Sequence, residues 1–157
     1  MLWIFGLILH GVLAIFLIGA LTHQAMALLK KSKQAGTFVQ RFSSVNSQVY
    51  AAAVITLYLV TFITGAWIYT KYRVDVRPVF EDTHRMDMFA IFELKEHYAA
   101  FGLALLPLYG YLWKLPGATT GANAEVQTGR KWVTLVLVSF VWFIFLAGHI
   151  INNARGL

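Results

Sequence analysis

Leu2-Trp3-Ile4-Phe5-Gly6-Leu7-Ile8-Leu9-His10-Gly11-Val12-Leu13-Ala14-Ile15-Phe16-Leu17-Ile18-Gly19-Ala20-Leu21 decides the class of this chain. The stretch carries no formal charge, and His10 is its one ionisable side chain. A helix rises about 1.5 Å per residue, so roughly 20 apolar residues match the hydrocarbon thickness of a bilayer. A helix also satisfies its own backbone hydrogen bonds, which lipid requires of a spanning segment. Working outward, the same reading places spans at about 2–21, 48–70, 94–113 and 132–152, with an extramembrane loop at 71–93. The expected fold is an all-α integral membrane protein, a four-transmembrane-helix up-down bundle forming one membrane domain over 1–157. The third span is the shortest. Its charge-free part, Tyr98 to Trp113, must borrow from Phe89 to His97 to cross.

Composition agrees. Of 157 residues, 59% are hydrophobic and only 13% are charged, where a soluble domain carries about a quarter charged. There is no cysteine, which excludes disulfides, thiolate metal sites, iron–sulfur clusters and covalent c-type haem. The start lacks a basic n-region and its apolar run outlasts a signal peptide's core, so it reads as a retained first helix. The net charge of +6 comes from basic residues in loops beside the spans. That pattern fits a membrane surface, not nucleic acid.

Loops one and three hold Lys30, Lys31, Lys33, Arg41, Lys114, Arg130 and Lys131 with only Glu125 against them, whereas loop two holds all the other acids. The positive-inside rule, weighted to the acid-free first loop, puts loops one and three in the cytoplasm. Both termini and loop two then face the outer, periplasmic side of a bacterial plasma membrane. Loop two is long for a link between spans and reads as functional or partner-binding. Pro78 and its mixed charge argue against a continuous helix there, and Met86 to Glu96 reads as an interfacial helix entering the third span.

Three of the five histidines, His10, His97 and His149, fall in or at the edge of spans and share one half of the bilayer, on the loop-two side. An ionisable group in hydrocarbon is costly and marks a candidate site, and a neutral imidazole is the usual nitrogen ligand of haem iron or copper. His97 and His149 agree in depth within about 5 Å on the helical rise and sit on sequence-adjacent helices, so they are the preferred axial pair. His10 lies about a turn deeper and is the alternative ligand. Arg73, Arg77, Arg85 and Lys95 lie on the same side and suit haem propionates. His10 and His23 differ by roughly 220° around the first helix, and no second histidine is there at the inner surface to partner His23, so one haem is favoured over two.

On helix count and histidine placement, the chain resembles the small four-helix b-type cytochrome subunits that anchor respiratory dehydrogenases. The resemblance implies one haem b and electron transfer within a larger respiratory or photosynthetic complex. It also implies partners among other subunits, a quinone or a soluble cytochrome, and no enzymatic activity of the chain alone. The competing readings are concrete. A lone membrane histidine can simply bond a hydroxyl or carbonyl on a neighbouring helix. Small residues beside His10 (Gly6, Ala14) and His149 (Gly148) leave room for a macrocycle, or equally for close helix packing. Copper is an alternative cofactor, with Met86 or Met88 near the imidazoles, in an accessory or assembly protein. Glu93 with His97 falls short of a di-iron set, which needs carboxylates from other helices. At the inner end, His23, Gln24, Arg41, Ser43, Ser44 and Tyr50 are candidates for a quinone head group.

Overall fold

The computed structural model describes residues 1–29, 45, 48–115 and 124–154. Within them the chain is 95% helical and has no strand. The elements are α1 (Leu2–Leu29), α2 (Gln48–Lys71), a π-helical segment (Tyr72–Val76), α3 (Arg77–Asp82), α4 (Met86–Lys114) and α5 (Ala124–Ala154). Three helices are long and apolar enough to cross a membrane: α1, the run Gln48–Asp82, and α5. The chain is consistent with an integral membrane protein on that ground. Helix α4 is equally long, but its charged first turns and its Tyr98, Pro107, Tyr109 and Tyr111 dilute the apolar run.

The extramembrane segment 71–93, expected to lack a continuous helix around Pro78, is helical almost throughout. Helix α2 runs straight into the π-helical turn, whose wider i→i+5 bonding takes in one extra residue; the Arg77 amide closes it by donating to the Tyr72 carbonyl. Pro78 does not break the chain because it sits in the first turn of α3, where no intrahelical partner needs its missing N–H. The opposite charges that argued for a loop pair along the helix, Lys71 with Asp75 and Arg77 with Glu81, each one turn apart. The break comes at Thr83–Arg85, where His84 takes a left-handed φ of 54°. The reversed chain is pinned there by the Arg85 amide, which donates to the Phe80 carbonyl at 2.8 Å.

Side-chain pairs set the packing. Helix α1 lies against α2 and α5, and α4 lies against the same two, so α1 and α4 face each other across a diagonal. Neighbours run antiparallel. Gly6 and His10 of α1 meet Trp67 and Gly65 of α2, while the Tyr50 hydroxyl donates to the Ala20 carbonyl at the other end. Gly102 of α4 sits under Tyr58 of α2, whose hydroxyl reaches the Ala99 carbonyl at 2.9 Å. The main core joins Leu17 and Leu21, Val54 and Tyr58, Leu106 and Tyr109, and Leu137 and Val141 from the four long helices. A smaller cluster of Tyr72, Val76, Phe80, Met88, Phe92 and Ile151 closes the loop-two end. The N-terminal half of α1 is apolar on every side yet largely exposed, with Leu2, Ile4, Phe5, Ile8, Val12 and Ile15 uncovered, as expected of a helix that meets lipid.

Candidate functional site

At the loop-two end a cleft of about 260 Å³ opens between the end of α2, the π-helical turn and the start of α4. Residues 89, 92, 93, 96 and 97 recur at three- and four-residue steps and therefore share one face of α4. They meet Tyr69, Tyr72 and Arg77 across the gap. The wall is a stack of rings: Phe92 lies 3.6 Å from Tyr72 at an interplanar angle of 7°, and 5.7 Å from Tyr69 at 11°. The Tyr72 hydroxyl is buried without a hydrogen-bond partner. His97 is an exposed member of the lining, and its Nδ1 lies 2.7 Å from the Glu93 carbonyl oxygen one turn back. A carbonyl only accepts, so Nδ1 carries the proton and Nε2 keeps its lone pair. Imidazoles that bind metals are commonly oriented in this way, through the nitrogen that is not the ligand.

The three candidate arginines separate. Arg77 lines the cleft, paired with Glu81 at 2.8 Å and lying 4.6 Å over the Phe89 ring. Arg73 sits 5.9 Å over the Tyr69 ring. Arg85 is drawn away to Asp87, with bonds of 3.1 and 3.3 Å, and that bond holds the Asp87 carboxyl below its ordinary range. Lys95 is largely covered, with its ammonium 3.2 Å from Glu96 and 4.7 Å over Phe92.

The other histidines do not line this cleft. His10 sits in the seam between α1 and α2, with Nδ1 3.2 Å from the Thr64 hydroxyl and its Cε1 edge close against Gly65. Thr64 donates its proton to backbone carbonyls of its own helix, so its oxygen accepts from His10. The space beside His10 at Gly6 is filled by Trp67, which also stacks on Trp3 at 5.2 Å. His149 is exposed on α5, parallel to Phe145 one turn back at 6.5 Å. Beside it, Gly148 faces α4, with the Lys95 stem 3.9 Å from where a side chain would sit. His84 is the exposed turn residue, and His23 lies at the opposite end.

At that opposite end, His23 and Tyr50 share a groove of about 420 Å³ with Ile15, Phe16, Gly19, Ala20 and Leu57. Gln24 points elsewhere, into the core, and Arg41, Ser43 and Ser44 lie outside the described residues. The sequence reading did not anticipate the buried polar side chains here. Arg130, counted as a loop charge, is 1% exposed and caps the end of α4 by donating to the Leu112 and Leu115 carbonyls at 2.9 and 2.6 Å. A cation near the first turns of α5, one short loop after the last turn of α4, was the available signal.

Among the described residues no group of three or more His, Asp or Glu side chains could hold a metal ion. A bare copper, zinc or di-iron centre needs such a group, whereas a haem brings its own four nitrogens and asks the protein for only one or two more. Comparison with protein-family profiles, with characterised proteins and with solved structures finds no match to this chain.

Proposed function

We propose that this protein is a four-span integral membrane subunit that binds one haem b at its loop-two end and passes electrons within a larger respiratory or photosynthetic complex. The observation that carries the reading is His97. Its ring is oriented by its own helix, its Nε2 is the basic nitrogen, and it borders a cleft walled by stacked aromatic rings. The buried Tyr72 hydroxyl and the Arg77 guanidinium are the polar groups there that suit propionate carboxylates. Haem would supply the one-electron iron chemistry; the chain's residues would orient and shield it.

His97 is the first ligand in this reading, and His149, towards the same end of the adjacent helix α5 but outside the cleft, is the second. His10, tied to Thr64 and packed on Gly65, serves helix packing. The cleft is smaller than the usual ligand pocket of about 300–1,000 Å³, so in this reading the rest of the cofactor lies against lipid or another subunit. Helix α4 crosses the bilayer as the third span from His97 to Trp113, about 25 Å on the helical rise and near the shortest workable length. Both termini and loop two lie on the outer side.

The test is haem content. Protein expressed in a haem-replete host, purified in mild detergent and assayed as the pyridine haemochrome should carry close to one b haem per chain. Chains that fold but purify without haem would overturn the reading. Substoichiometric, exchangeable copper with no stable haem would favour an assembly protein.

A further inference from the structure

At the end of the protein away from the His97 cleft, the core is polar. Gln24 of α1, Tyr109 and Trp113 of α4, and Arg130 and Thr134 of α5 are each no more than 3% exposed. Gln24, Tyr109, Trp113 and Arg130 are linked in series across the α1–α4 diagonal. The Tyr109 hydroxyl donates to the Gln24 amide oxygen at 2.6 Å, and the Tyr109 and Trp113 rings lie 6.2 Å apart. The Arg130 guanidinium lies 5.2 Å over Trp113, and Thr134 follows one turn later on α5.

Three atoms of this cluster are buried and without a hydrogen-bond partner: Gln24 Nε2, the Trp113 indole Nε1 and Thr134 Oγ1. Turning the Gln24 amide over would only change which of its two polar atoms is left unpaired. Burying one such group is costly, and native cores hold few of them. Three at one end of the core, on and beside the linked side chains, mark a place where something polar belongs. Its chemistry is set by the groups present. Two neutral N–H donors and one hydroxyl call for a small neutral molecule that both accepts and donates. The Arg130 cation repels metal ions from the site. Buried water answers that description, with typically two to four bonds to otherwise unpaired groups.

We propose that this cluster is a hydrated site, with water held among α1, α4 and α5 by Gln24 Nε2, Trp113 Nε1 and Thr134 Oγ1. It makes the helix packing at this end a polar, proton-exchanging contact and not a dry one. The proposal is independent of the haem, which concerns the other end.

X-ray hydroxyl-radical labelling of the full chain in lipid nanodiscs, in ¹⁸O water, reads the site directly, because bound water is activated in place. The Tyr109 or Trp113 ring should take up ¹⁸O despite its burial. Absence of label on both, in a sample where the exposed Met86 is labelled, would overturn the proposal. Thr134→Val keeps the side-chain shape and removes the hydroxyl. With water bound there, the apparent Tm should fall by about 2–4 °C, the shift expected for one lost hydrogen bond in a chain of this size. An unchanged or raised Tm would mean that the hydroxyl is dry, and would overturn it equally.

Discussion

His97 Nδ1 and the Glu93 carbonyl oxygen lie 2.7 Å apart on successive turns of α4, which fixes the imidazole ring and leaves Nε2 as its basic atom. The pair is local, so the helix alone delivers the orientation. What the fold adds is the neighbourhood: the π-helical turn brings Tyr72 against Phe92, and α3 brings Arg77. Ligand chemistry at this end therefore depends on a segment in which no histidine but His84 occurs.

The Tyr72 hydroxyl is the most direct probe of whether that cleft holds a polar ligand group. Tyr72→Phe should raise the Tm of haem-free protein slightly, because it removes a buried unpaired hydroxyl. The same change should weaken haem retention, measured as transfer to apomyoglobin, by about threefold to tenfold, one hydrogen bond's worth.

Close packing of α2 on α4 requires glycine at position 102, where a methyl group would collide with the Tyr58 hydroxyl. Gly102→Ala should destabilise the protein by about 1–3 kcal/mol, the usual cost of overpacking. Combined with Tyr58→Phe, it should lose much of that penalty. Thermal unfolding of the two single variants and the double variant in one detergent checks the coupling.

Much of this was legible in the chain. The apolar run from Leu2 to Leu21 required a long helix, and the structure extends it to Leu29 because the polar His23 and Gln24 do not stop a helix. Hydrogen bonding of His10 to a hydroxyl on a neighbouring helix was among the alternatives for a lone membrane histidine, and Thr64 is that hydroxyl. The segment from Lys71 to Asp82 was not expected to form a continuous helix because charge was weighed above spacing: Lys71 with Asp75 and Arg77 with Glu81 are helical i,i+4 pairs. Burial of Gln24 was not legible, and that of Arg130 was signalled only by its place beside the end of α4. Helical periodicity says which side chains share a face, not which faces meet across a diagonal.

Arg130 holds two carbonyls and a ring at once, which a single ammonium cannot do. Arg130→Lys should therefore be nearly as harmful as Arg130→Leu. Each should cost about 2–4 kcal/mol, since the end carbonyls of α4 lose their donors. Chemical unfolding monitored by tryptophan fluorescence checks this, because Trp113 reports from beneath the guanidinium.

Acid dependence at the loop-two turn follows from Arg85 and Asp87. Their bond lowers the folded-state pKa of Asp87 below its unfolded value. Its contribution to stability is then fully present above about pH 4 and lost as the pH falls through the depressed value. Asp87→Asn should lower the Tm slightly at neutral pH, and the difference should vanish in strong acid. The effect is small because both side chains are exposed to solvent.

The central claim is haem ligation by His97, and the most direct measurement is the dithionite-reduced minus ferricyanide-oxidised spectrum of purified wild-type and His97→Ala protein. The account predicts a low-spin b-type α band in the wild type and its loss in His97→Ala. His149→Ala should also lose the low-spin band, while His10→Ala and His84→Ala keep it. A wild-type protein without Soret and α bands, or a His97→Ala protein whose spectrum is unchanged, would contradict it.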